Sequence, residues 1–420
     1  MKNWISNPSS KQTSTVVIML ILATSGVLLY DAAHQDFPAE GVSHPSQAAA
    51  ADGWVVALDT NESGELSAVI IDVESGDTFV KVTGTNIDGN QSQWGLANAP
   101  TEVLISENHA VVWQGHIIKT IRFDNPLAEM DSRLTEPLYE DVILLDSDEH
   151  HANLFTLLDG EIYSLKTIDE EHEKVPEITD SDVELLDGQG NTLAWVTGSS
   201  PLTANLMVLD DVHKSISVTV NATSSQPMDD EVEVLTGAKV DYANATITGI
   251  SFDENHLIAE VNLSAVTRLV LVDLESGDQR IIGDPLFPVS NPSVSNGLVA
   301  WQHQQFLTSL EPTPVTLDWD VAYHVISQNQ TYPLHVEDDL NQTEPQVMKN
   351  HIVWLQDSGG EDPPEVRIYA LEETIEQYSS RTLQVAIILL IPLLTLWMIQ
   401  KQRERLVETI SLTRIESEVE

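Results

Sequence analysis

Few residues that could do chemistry in this 420-residue chain stand at a spacing that chemistry needs. Asp357-Ser358-Gly359-Gly360 offers a serine in glycine-rich backbone, and Asp31-Ala32-Ala33-His34 a histidine near a carboxylate. These are the residue types of a serine nucleophile and its base. A turn built from Ser-Gly-Gly accounts for the first, the second adjoins an apolar segment, and no wider motif joins them, so no catalytic residue is assigned. The sequence contains no Gly-x-Ser-x-Gly elbow, which excludes a fused α/β-hydrolase. It has no phosphate-cradling glycine loop or dinucleotide fingerprint either. Zero cysteines exclude disulfides, thiolate metal sites and cysteine nucleophiles.

Thirteen histidines and many carboxylates remain. His109, His151 and His256 fall at equivalent places in a repeat described below, so they are expected on one rim, and a plain turn role outweighs metal binding. Three acidic segments begin at Asp146, Asp180 and Asp229. None has the glycine spacing of a calcium loop; they could at most hold loosely bound calcium, and no cofactor is expected. With 66 acidic against 19 basic residues, the net charge of −47 excludes nucleic acid as a partner. The acidic excess runs along the whole middle of the chain, which suits hydration in high salt better than one ligand patch. In composition the chain resembles archaeal-type surface proteins.

Two uncharged apolar runs, Thr15 to Tyr30 and Leu383 to Ile399, bracket the rest. The second reads as a transmembrane helix over 382–400, closed by Trp397 and followed by Lys401, Arg403 and Arg405. The first, over 15–33, reads equally as an uncleaved anchor or a cleaved signal peptide. Lys and Arg are sparse between the two runs and denser in the tails 1–14 and 401–420. That asymmetry places both tails in the cytoplasm and the middle outside the cell membrane, with the bilayer itself as a partner. Seven sequons fall in the middle portion, at Asn61, Asn90, Asn221, Asn244, Asn262, Asn329 and Asn341, and are glycosylation candidates.

The elements that must position these residues are short apolar runs broken by turn residues, an all-β pattern over 50–378 after a linker at 34–49. One unit recurs seven times: strand, two-residue turn, strongly apolar strand. The second turn position is Gly53, His109, His151, Asn191, His256, Gly297 and Asn350, types that tolerate the positive φ of a type I′ hairpin. Four residues later stand Ala57, Trp113, Phe155, Trp195, Glu260, Trp301 and Trp354. The aromatic members of that column, Trp113, Phe155, Trp195, Trp301 and Trp354, are expected to pack between sheets, one per repeat. A further hairpin often follows, with Glu-Ser-Gly-Asp turning at Gly76 and Gly277. Four antiparallel strands per unit, repeated about every 40–65 residues, are the signature of a β-propeller of about seven four-stranded blades.

With proline-led hairpins such as NPSVSNGLVAWQ and EPQVMKNHIVWLQ, residues 50–378 resemble the TolB-like and WD40-like β-propellers. The resemblance implies a binding or scaffolding module that engages a protein or glycan at the outer face. An accessory subunit of a membrane complex is the alternative, and a propeller hydrolase or lyase a third.

Overall fold

Each two-residue turn forces the strands on either side to pair, and the pairing then spreads outward one hairpin at a time. The result, in a computed structural model, is seven four-stranded antiparallel sheets around a common centre: a seven-bladed β-propeller. Its described residues lie between 36 and 371, with interruptions between strands, the longest at 83–100 and 307–316. Residues Asp36–Tyr369 form one compact unit. The expected membrane segments at 15–33 and 382–400 and both tails lie outside the described residues. Among the described residues no helix is long and apolar enough to cross a membrane.

Blades 1 to 6 are continuous in sequence, spanning 45–82, 101–133, 142–174, 183–219, 246–282 and 289–333. Blade 7 is not. Its first three strands come from 341–370, but its fourth is Asp36–Pro38, paired antiparallel with Glu365–Ala370 so that Asp36 lies opposite Tyr369. The ring is therefore closed by the start of the domain. The segment expected as a linker, 34–49, contains this closing strand and the beginning of Pro45–Ala51. Three residues carry too little periodicity to announce a strand; only pairing to a distant edge makes them one. Buried Asp59 fixes the link to blade 1, its carboxylate accepting from the Ser43 and His44 backbone N–H groups.

The first strand of each blade lines a central channel, and the middle of the second strand lies buried behind it. Counted from the start of each second strand, the second and fourth residues face the preceding blade and the third and fifth the following blade. In blade 1, Val55 and Ala57 pack with blade 7 while Val56 and Leu58 pack with blade 2. In blade 5, Leu257 and Ala259 join blade 4 while Ile258 joins blade 6. Six of the seven interfaces thus have their own apolar core among the described residues, and the largest joins blades 4 and 5. There a segment between the blades, including Val220, Ala222 and Val232, adds to the core. Arg268, 1% exposed, pins that segment: its guanidinium donates to Asp229, to Tyr242 Oη at 2.7 Å and to the Ala222 carbonyl at 3.3 Å.

Turn length decides which face the aromatic column takes. Two residues separate first and second strands in blades 1, 4, 6 and 7; three do so in blades 2 and 5, and seven in blade 3. In the two-residue blades Ala57, Trp195, Trp301 and Trp354 are fourth in their strands and face the preceding blade. His109 and His256 are instead the first residues of their strands, which makes Trp113 and Glu260 fifth and turns both toward the following blade. Phe155, third in its strand, faces blade 4 and shares one core with Trp195. All seven members of the column are buried, but they are not distributed one per interface.

Candidate functional site

The central channel is a concave space of about 940 Å³, and every blade contributes to its wall. How neighbouring first strands meet follows from one position in each, the residue paired with the third residue of the second strand. Around the ring that residue is Ala49, Leu104, Ile143, Asp187, Ser251, Ser293 and Gln346. Like its partner it points toward the following blade. Where it is polar it can reach the next first strand, whose backbone has no ladder partner on the channel side.

From blade 5 to blade 1 that reach is used. Ser251 Oγ accepts from the Val294 N–H at 3.1 Å, and Ser293 Oγ from the Val347 N–H at 2.9 Å. Gln346 makes a double joint, accepting from the Ala50 N–H at 2.6 Å and donating to the Ala48 carbonyl at 3.0 Å. Gln47 continues the belt, accepting from the Val103 N–H at 2.8 Å. In blades 2 and 3 the position holds leucine and isoleucine, which cannot make such a bond.

Asp187 takes the same position in blade 4 and behaves differently. Its Oδ1 accepts from the adjacent Gly188 N–H at 2.8 Å. Burial pushes its pKa up to about 7, against the smaller opposing effect of that hydrogen bond. The channel wall therefore carries a carboxyl group that exchanges its proton near neutrality.

Two more carboxylates line the end of the channel away from the two-residue turns. Glu260 and Glu344 are both raised above the ordinary range, chiefly by burial. A hydrogen-bonded chain links them across blades 5 to 7. Thr248 Oγ1 donates to Glu260 at 2.8 Å, and the Asn291 N–H donates to its other oxygen at 3.1 Å. Asn291 Nδ2 and the Glu344 N–H then share Gln302 Oε1 at 3.2 and 3.1 Å. Asn291 and Glu344 sit at positive φ, +50° and +54°, inside register shifts of their first strands. Pro292 and Pro345 occupy the same irregularities, where no ladder donor is needed. The opposite rim carries Asp52, Asp253, Glu254, Asn296 and Lys349, with Lys349 bound to Asp52 at 2.9 Å.

The turn residues of the repeat meet in one rim but not in one conformation. Gly53 and Gly297 have φ of +92° and +78°. At the turns of Asn191 and Asn350 the positive φ falls one residue earlier, on Gly190 and Lys349. A single left-handed residue at the first position suffices there, as in a type II′ turn. His109 and His256 correct the sequence reading: in three-residue connections they already belong to strands and need no positive φ. Asp253 Oδ1 organises one of these connections, accepting from the Asn255 and His256 N–H groups, each at 2.8 Å. His151 lies outside the described residues, as do Ser358 to Gly360 and Asp31 to His34.

Of the acidic segments, the one starting at Asp146 lies outside the described residues. Asp180 accepts from the Trp195 indole at 2.7 Å, and Asp229 bonds Arg268 and Tyr242. No group of three or more His, Asp or Glu among the described residues could hold a metal ion. Sequence reasoning missed Asp187, Glu344, Ser251, Ser293 and Gln346. It noted Glu260 only as the one charged member of an aromatic column, and that oddity was the available signal.

No family model matches the chain, and no curated protein does. Similar solved structures are the propeller domain of the Trilobed protease from Pyrococcus furiosus, the WD40 repeats of RRP9 and a puromycin-hydrolyzing peptidase of Mycobacterium tuberculosis. The first is 10% identical at a TM-score of 0.46, with 78% of this chain and 95% of that one covered. For RRP9 the values are 11%, 0.45, 80% and 97%. For the peptidase they are 11%, 0.47, 82% and 52%, so the chain spans about half of that enzyme. It spans 28% of the tricorn protease, at a TM-score of 0.36. The likeness concerns the fold, which the strand pairing establishes by itself.

Proposed function

We propose that this propeller is a membrane-tethered binding or scaffolding module on the outer side of the cell membrane, engaging a protein or glycan through its channel and the adjoining rim. The observation that carries this reading is the channel: a wall with a contribution from every blade, in which hydrogen bonds only partly offset the burial of the Asp187 and Glu260 carboxyls and burial alone raises Glu344. Such a wall favours a partner that brings a cationic or hydrogen-bond-donating group. The tether is supported by the two apolar runs and the Lys and Arg asymmetry. It also fits blade 7, where Asp36 and Tyr369, the two ends of the propeller unit, are cross-strand neighbours.

The test is calorimetric titration of the full-length protein in detergent with a lysine- and arginine-containing peptide and with a neutral oligosaccharide. At least one should bind, and D187N combined with E260Q and E344Q should weaken the peptide at least tenfold. Binding of neither probe, or binding indifferent to the triple variant, removes the channel as the site.

A further inference from the structure

The seven sequons are equivalent in sequence but not in structure. Asn61 and Asn90 lie outside the described residues. Asn341 begins a blade 7 strand, is only partly exposed, and spends its Oδ1 on the Trp319 N–H of blade 6 at 3.2 Å. At Asn329 the side-chain oxygen accepts from Arg280 at 2.7 Å. The hydroxyl two residues on, Thr331 Oγ1, is engaged with His324 Nδ1 at 3.0 Å. Asn244 donates its own Nδ2, the atom that would be modified, to Asp241 at 2.7 Å.

Asn221 and Asn262 differ from these. Both are exposed, and their side-chain hydrogen bonds use Oδ1 alone, accepting from the hydroxyl residue of their own sequon, which at Asn329 is engaged by His324 instead. Asn221 Oδ1 accepts from the Thr223 N–H at 3.0 Å and Oγ1 at 2.5 Å; Asn262 Oδ1 accepts from the Ser264 N–H at 2.9 Å. In each sequon the middle residue, Ala222 or Leu263, is buried in the core joining blades 4 and 5. That burial holds the asparagine and the hydroxyl residue outward on either side. The Ala222 carbonyl is further fixed by buried Arg268. Thr246, the hydroxyl residue of the Asn244 sequon, pairs across the sheet with Asn262, so three sequons share this corner. It lies at the ends of strands away from the two-residue turns.

We infer that Asn221 and Asn262 carry N-linked glycans, which cover this corner of blades 4 and 5 and leave the turn rim of the channel open. The inference rests on the outward placement proposed above. The donor is a saccharide activated on a polyprenyl phosphate or pyrophosphate. The amide nitrogen bonds the anomeric carbon and gives up one proton; the bond from that carbon to the phosphate oxygen breaks, and the lipid phosphate leaves with the electron pair. Whenever the transfer happens, a bulky glycan persists only where the folded surface has room, and these two asparagines have it.

The test uses the full chain made in cells that glycosylate a control sequon in the same preparation. Peptides are treated with a glycan-releasing amidase in heavy-oxygen water and read by mass spectrometry. Label at Asn221 and Asn262 with none at Asn341 is expected, and S264A should abolish label at Asn262 alone. Unlabelled Asn221 and Asn262, or label at Asn341 equal to theirs, overturns the inference. Protease treatment of intact cells separates the two proposals: a digested but unlabelled propeller refutes the glycans alone, and a protected one refutes the placement as well.

Discussion

The arc running from blade 5 through blade 7 to blade 1 and the arc from blade 2 to blade 4 are built from the same four-stranded sheets, yet their inner strands meet differently. In the first arc Ser251, Ser293, Gln346 and Gln47 carry hydrogen bonds from one blade to the next along the channel wall. In the second the equivalent residues are Leu104, Ile143 and Asp187: two make apolar contacts, and the third keeps its carboxyl to its own backbone. The first strands of blades 4, 5, 6, 7 and 1 are irregular in register with their second strands, so only those of blades 2 and 3 run evenly. The comparison shows that apolar packing behind the channel is common to the whole ring, while the channel wall itself differs along it.

The largest test of that claim is packing. Trp301 and Trp113 are each 1% exposed, one in each arc. Replacing either with alanine is expected to cost about 3–5 kcal/mol through lost burial and a residual cavity. Urea unfolding of both variants measures it; a mild W113A beside a severe W301A would mean the arcs differ in packing as well. Trp195 and Phe155 share one interface, so their alanine double variant should depart from additivity by about 0.5–3 kcal/mol.

The next effect belongs to the belt. Gln346→Leu should cost about 1–3 kcal/mol, because it leaves the Ala50 N–H and the Ala48 carbonyl of the neighbouring blade without their partner. Amide exchange should accelerate at Ala50 and stay unchanged at Leu104. Acceleration at both would mean that the arcs do not open independently.

Asp187 separates the arcs by pH. Its folded pKa of about 7 lies above its ordinary value of 3.8, so between those limits the folded state holds a proton that the unfolded state has released. Stability contributed by the protonated form is therefore lost as pH rises toward 7. Asp187→Asn should stabilise the domain at pH 8 by on the order of 1–3 kcal/mol and flatten its pH profile between 4 and 7. A parallel profile for wild type and variant would show that the carboxylate is not desolvated.

Much of this architecture is legible in the sequence, for local reasons. A tight turn needs particular residues at particular places, so Asp52-Gly53 and Asn296-Gly297 advertise their hairpins, and seven hairpins give the ring. What depends on distant partners is silent. Asp36–Pro38 is a strand only because Glu365–Ala370 offers an edge. The position of each first strand that meets the next blade has no chemical signature, because alanine, leucine, isoleucine, aspartate, serine and glutamine all stand there. The face taken by the aromatic column hinges on whether a histidine ends a turn or begins a strand, a single-residue difference that composition does not reveal.

The smallest effect tests that last point, at the turns themselves. The sequence treats Asn191 and Gly297 as equivalent, each second in its turn. The structure gives Gly297 a φ of +78° and puts the positive φ of the other turn on Gly190, at +57°. A Cβ added at Gly297 would meet nothing within 4 Å, so any penalty for Gly297→Ala is one of backbone conformation and not of crowding. That penalty should be about 1 kcal/mol, the lower end for a non-glycine residue held in the left-handed region. Asn191 carries no such strain and is exposed, so Asn191→Ala should fall within about 0.5 kcal/mol of the parent. Both turns lie on the channel rim, one in each arc, and thermal unfolding of the two variants compares them directly. Equal losses would mean that both turns require the same left-handed residue. The rim would then be uniform, and the difference between the arcs would be confined to the wall below it.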